Sequence, residues 1–87
     1  MQQWEFHELA QAIVTRFLDR VPARYVDGFE AALDGGEYSM AVEDLVLTLV
    51  NDKVPVTPVE REDLHRLLDY LNQPVDALDG LTLVFQA

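Results

Sequence analysis

Apolar residues recur along most of the chain at helical spacing. Leu9, Ile13, Phe17 and Arg20 share one stripe, which Phe6, Ala10, Val14, Leu18 and Val21 broaden. This pattern predicts a first amphipathic helix from about Trp4 to Arg20. Pro22 disfavours helical geometry at Val21 and can itself open a second helix, on which Tyr25, Val26, Phe29, Ala32 and Leu33 share a face. Gly35-Gly36 then ends that helix, because glycine accepts the left-handed turn that closes one. A third helix from Glu37 to Asn51 places Tyr38, Ala41, Val42, Leu45, Val46 and Leu49 on one side, with Met40, Leu47 and Val50 on the other. A helix apolar nearly all round is expected at the centre, buried on two faces; the alternative is a second face left open for a partner.

Val54-Pro55-Val56 is short and interrupted by proline, so it reads as an extended connector and not a sheet strand. Thr57-Pro58-Val59-Glu60 is a strong helix start. The Thr57 hydroxyl can accept from the Glu60 amide, the Glu60 carboxylate can reach back, and Pro58 sits where no donor is missed. The fourth helix runs to about Asn72 with Leu64, Leu67, Leu68 and Leu71 inward, and Pro74 marks its end. A single turn over Asp76 to Gly80 leads to Leu81, Leu83, Val84 and Phe85, an apolar segment expected to dock on the bundle. Trp4 lies off the main stripe and is expected to fold back on the core, with Tyr70 at the core margin. The expected fold is all-α: one compact four-helix domain over residues 1–87, with the C-terminal apolar segment docked on it.

Composition changes this picture in three ways. A chain of 87 residues, 49% apolar, supports one small core and no second domain. The absence of cysteine removes disulfides, thiolate metal sites and thiol nucleophiles. Six Lys and Arg against 16 Asp and Glu leave a formal net charge of −10, which repels phosphate backbones and anionic lipid. Direct nucleic-acid binding and membrane attachment are therefore disfavoured. With no apolar run near the ~20 residues of a bilayer span and no secretory pattern at Met1–Glu8, the expected compartment is the cytoplasm.

Catalytic constellations are thin. His65 and Asp69 stand four apart, which supplies two metal ligands at most, and a solvated histidine beside a carboxylate is the simpler reading. Ser39, the only serine, lacks a nucleophile elbow, and Gly35-Gly36 is flanked by Asp34 and Glu37, which would repel an anion. The sequence therefore reads as a non-enzyme with no cofactor, metal or small-molecule substrate.

What remains is the placement of acid. Asp27, Glu30 and Asp34 form a like-charged ladder on the second helix, each pair costing roughly 0.2 to 0.5 kcal/mol. Asp34 also sits at the helix C-terminus, where the macrodipole disfavours it by roughly 0.3 to 1 kcal/mol. Glu37, Glu43 and Asp44 continue the acid onto the third helix. These six residues form the candidate partner-binding surface, suited to a basic partner; an acidic solubility face is the plainer reading of them. The fourth helix differs, because Arg66 neighbours Glu62, Asp63 and Asp69 and neutralises that face.

Val21-Pro22-Ala23-Arg24-Tyr25-Val26-Asp27, then Gly36-Glu37-Tyr38 with Ala41, Leu45 and Leu49, then Asp52-Lys53-Val54-Pro55-Val56-Thr57, then Leu64 and Leu67-Leu68, form a pattern that resembles the MafI-type immunity proteins of bacterial polymorphic toxin systems. The resemblance spans about Val21 to Leu83. It implies a small acidic cytoplasmic protein that binds and neutralises a cognate toxin domain, often a nuclease. The shared residues are packing positions, so no site residue is carried over, and the cysteine often found on the central helix is replaced in the region of Val46 and Leu47. Acyl and peptidyl carrier proteins are a second resemblance, through Tyr38-Ser39-Met40-Ala41-Val42-Glu43, but Tyr38 stands where their aspartate precedes the modified serine. A generic helical adaptor is a third possibility.

Overall fold

Helices form where the apolar stripes lie. The computed structural model of the protein describes residues 1–85, with α1 at Gln3–Phe17, α2 at Val26–Asp34, α3 at Tyr38–Asn51 and α4 at Pro58–Tyr70. Short 3-10 segments at Ala23–Tyr25 and Val75–Gly80 lead into α2 and follow α4. The domain is all-α in architecture and measures 29 × 27 × 21 Å. No helix among the described residues is long and apolar enough to cross a membrane.

Helix α3 holds the centre: it packs on α1, α2, α4 and the second 3-10 segment, and Ala41, Val42, Leu45, Val46 and Leu49 are buried. Its other side corrects the expectation of burial on two faces. Met40 is 49% and Leu47 58% exposed, while Val50 is half-buried against Gly80, where an added Cβ would lie 2.9 Å from Val50 Cγ1. The second 3-10 segment thus lies along α3 near Val46 and Val50 and leaves Met40 and much of Leu47 uncovered.

The ends differ from expectation for local reasons. Helix α1 stops at Phe17 because Val21, which precedes Pro22, is driven out of helical geometry, and the turn between closes with Arg20 and Val21 N–H groups donating to the Phe17 carbonyl. Helices α2, α3 and α4 all end alike, on a left-handed residue: Gly36 (φ 73°), Lys53 (φ 53°) and Asn72 (φ 56°). The Glu37, Val54 and Gln73 N–H groups then donate to the carbonyls of Ala32, Leu49 and Leu68. Trp4 does not fold back: α1 begins at Gln3, so the indole is already committed to the outer row with Glu8, Gln11 and Thr15, and it is 63% exposed. Tyr70 takes its place at the margin, its ring stacked on Phe6 at 4.6 Å.

Pro55–Val56 is a strand, β1, and not merely a connector. It pairs in parallel with β2 at Thr82–Leu83, and the Val84 N–H donates to the Val56 carbonyl at 2.9 Å. Burial of Val54 and Val56 anchors the segment, and the proline costs the two-residue ladder little. This pairing, with half-buried Leu81 and Val84, docks the C-terminal segment; Leu83 and Phe85 project outward, Phe85 82% exposed.

Candidate partner-binding surface

Charge is organised differently on the two sides of the molecule. On one side, Glu60 in the first turn of α4 is only 1% exposed. Its Oε1 accepts from Arg20 Nη1 and the Thr57 backbone N–H, both at 2.9 Å, and its Oε2 accepts from Arg20 Nη2 and pairs with Arg16 Nε, both at 2.7 Å. Arg20 Nη1 also donates to the Pro55 carbonyl at 3.2 Å, so one guanidinium joins the end of α1 to both β1 and α4. Burial alone would push the Glu60 carboxyl up, but the Arg20 hydrogen bonds, the Thr57 N–H and the positive charge of Arg20 outweigh it and hold it at about 2. The expected capping box at Thr57 is present, with the Glu60 N–H donating to Thr57 Oγ1 at 3.2 Å.

On the other side the acids have no such partners. Asp27, Glu30 and Asp34 are all exposed along α2, Glu37 is exposed at the N-cap of α3, Asp44 is exposed and Glu43 half-buried. The chain's five arginines all enter ion pairs: Arg16 and Arg20 with Glu60, Arg24 with Asp52, Arg61 with Asp79, Arg66 with Asp63. None of the six candidate acids is in an ion pair among the described residues. On α4 it is Asp63, at 3.7 Å, that pairs with Arg66, while Glu62 does not.

The six acids do not form one contiguous site. Asp44 lines a groove of about 500 Å³ between α2 and α3, whose apolar walls include Tyr25, Phe29, Met40 and Leu47. Glu43, one position earlier and a quarter turn round α3, lines a smaller groove of about 240 Å³ with Leu68 and Pro74. Leu47 stands between the two grooves and touches both. Asp27, Glu30 and Asp34 line neither; they occupy an exposed row of α2 turned away from Gly28, Phe29 and Ala32, through which that helix lines the larger groove.

No cluster of three or more histidine, aspartate or glutamate side chains suited to a metal occurs among the described residues. His7 is stacked on Tyr38 at 4.5 Å, His65 is exposed on α4, and Ser39 is exposed at the second position of α3.

A model for a family of unknown function, DUF6189, matches residues 1–79. The chain belongs to the DUF6189 family. The span shared with DUF6189 takes in α1 to α4 and all six candidate acids, and stops short of β2. No curated protein and no solved structure matches the chain.

Two features of this DUF6189 domain escape a reading of periodicity. Arg20 sits on the apolar stripe because its guanidinium is turned inward over the Phe17 ring, 4.5 Å from the centroid, and onto Glu60. A charged residue on a core stripe was the available signal, and Arg16 four residues earlier was its companion. Gly28 is the second. Gly36 adopts a left-handed φ, Gly35 lies 3.3 Å from the Ala31 carbonyl when a Cβ is added, and Gly80 packs on Val50, yet a Cβ on Gly28 would meet nothing within 4 Å. Gly28 stands in the first turn of α2, and nothing around it demands glycine.

Proposed function

We propose that this chain is an immunity protein: a non-catalytic cytoplasmic domain that binds and neutralises a basic toxin domain, such as a nuclease, through its acidic surface. The observation that supports this reading most is the division of charge. Every arginine pairs with an acid outside the candidate set, while the α2 ladder and its continuation on α3 have no cationic partner among the described residues and, unlike the other unpaired acids, are stacked along one helix and onto the next. A basic nuclease cleft attracts rigid carboxylates by the same field that attracts its substrate, so the bound domain excludes nucleic acid, and steered association shortens the interval in which free toxin acts.

The test is affinity capture from producing cells, followed by co-expression of the recovered partner with and without this protein. Recovery of a growth-inhibiting basic domain, with growth restored by co-expression, is the expected result. Recovery of a modifying enzyme that adds a phosphopantetheine group to exposed Ser39, lost in Ser39→Ala, would replace this reading with the carrier one.

A further inference from the structure

The two-stranded sheet has one closed edge and one open one. On the far edge of β1 the Pro55 carbonyl accepts from Arg20 Nη1 at 3.2 Å, so a side chain caps that edge. The other edge of β1 is filled by β2, with the Val84 N–H donating to the Val56 carbonyl at 2.9 Å. Successive residues of a strand turn their backbone groups to opposite edges, so the Leu83 N–H and carbonyl point away from β1. Among the described residues no hydrogen bond reaches either group. An open edge is a template for another strand, and proteins that keep theirs single place a charge or a proline on it. Residues 80–87 carry neither, and Phe85 is left 82% exposed.

Charge and symmetry select the occupant. The chain has a formal net charge of −10, yet beside this sheet Asp79 is held by Arg61 at 3.6 Å and Glu60 by Arg16 and Arg20. A basic partner is drawn to the α2 ladder and meets arginines here, whereas a second copy is repelled at the ladder and meets neutralised charge here. The segment is also complementary to itself. In an antiparallel pair about a two-fold axis at Leu83, each Leu83 exchanges N–H and carbonyl with its copy. Leu81 and Phe85 stand equally far from that axis, so the exposed Phe85 of one copy falls beside the half-buried Leu81 of the other, on one face of the sheet.

We infer that the chain forms a symmetric dimer through β2, making one sheet in the order β1-β2-β2-β1. Residues 81–85 from each copy are fewer than the roughly 20 to 30 a side of a standard interface, so the dimer is weak and concentration-dependent. It pairs no residue of α2 and stands independently of the immunity reading.

Sedimentation of the full chain over a range of concentrations tests this. The average mass is expected to rise from one chain toward two, and to rise further at about 0.5 M than at about 0.05 M salt, because screening removes the repulsion between acidic copies. Association with a basic partner has the opposite salt dependence. Leu83→Pro removes the outward N–H and spares the Val84 donor, and by symmetry it deletes two hydrogen bonds, so the association constant should fall about tenfold or more. Cysteine placement reads the register in a chain that has no cysteine of its own. Leu83→Cys puts the two Cα atoms about 5.5 Å apart, within disulfide reach, while two copies of Phe85→Cys stand on opposite sides of the axis and too far apart. Under mild oxidation Leu83→Cys should therefore crosslink faster than Phe85→Cys, although Phe85 is the more exposed residue. This comparison decides if the proline variant loses structure. A mass that stays at one chain throughout, a dimer that weakens with salt or persists undiminished in a folded Leu83→Pro, or faster crosslinking of Phe85→Cys overturns the β2 interface.

Discussion

Glu60 and the acids of α2 are the same chemical group held in opposite surroundings. Glu60 is buried, accepts from two arginines and a backbone amide, and ties α1, β1 and α4 together. Asp27, Glu30 and Asp34 are exposed, repel one another along a single helix, and end at the negative pole of its dipole. Where charge serves this fold, it is compensated in full. Glu5, Glu8, Asp19, Glu62, Asp69 and Asp76 also lack an ion pair among the described residues, but on α2 the uncompensated acid is stacked as a ladder that ends at the unfavourable pole, which folding does not explain.

The sharpest way to break the comparison is to remove the compensated charge. Glu60→Ala strands Arg16 and Arg20 and removes the Thr57 capping partner, and it should cost about 3 kcal/mol or more in urea-induced unfolding. Next comes acid titration. The Glu60 carboxyl ionises at about 2 in the folded chain against an ordinary 4.5, so folding favours its charged form. Its contribution is complete above about pH 4.5 and is lost as pH falls toward about 2, a change of a few kcal/mol. Wild type should lose that stability across this window, and Glu60→Gln should show a much flatter profile there.

The middle of the range lies at the cap itself. Thr57→Ala removes the acceptor for the Glu60 N–H while sparing the arginine contacts, and should lower unfolding free energy by about 1 kcal/mol. Replacing Glu30 and Asp34 together by lysine should do the reverse, leaving stability equal or raised by up to about 1 kcal/mol through relief of the ladder and the dipole. Gly28→Ala, in the first turn of α2, should stabilise by at most roughly 0.5 to 1 kcal/mol, read as a higher urea midpoint at unchanged slope. A destabilised lysine double variant would mean that the α2 acids belong to the fold after all.

These effects also mark what was legible in the residues. The four helices follow from 3.6-residue periodicity, and the Gly36 end of α2 and the Pro58 start of α4 from local sterics, whereas α1 stops three residues before the expected Arg20 and α3 and α4 close on left-handed Lys53 and Asn72, which signal a helix end less strongly than glycine does. The Thr57 to Glu60 cap was equally local. The second use of Glu60 was not: its pairing with Arg16 and Arg20 spans about forty positions and depends on how α1 crosses α4, which no helical wheel encodes. The same holds for β1, whose pairing with β2 depends on a segment 27 positions away returning beside it. A helix apolar on both sides gave burial as the expectation for Met40 and Leu47, and their exposure depends on how far α2 and the second 3-10 segment reach over α3, which spacing does not encode. The acidic ladder was readable residue by residue, whereas the separation of Glu43 and Asp44 into two grooves needed three dimensions.

The most direct measurement is a parallel capture from producing cells with three forms of the protein: wild type, the Glu30→Lys and Asp34→Lys double variant, and Glu62→Lys on α4. Wild type and Glu62→Lys should recover the same basic toxin-type domain, with recovery falling as salt is raised, and the double variant should recover markedly less of it at equal fold stability. Undiminished recovery by the double variant, together with loss in Glu62→Lys, would contradict the assignment of the uncompensated acid on α2 to a partner.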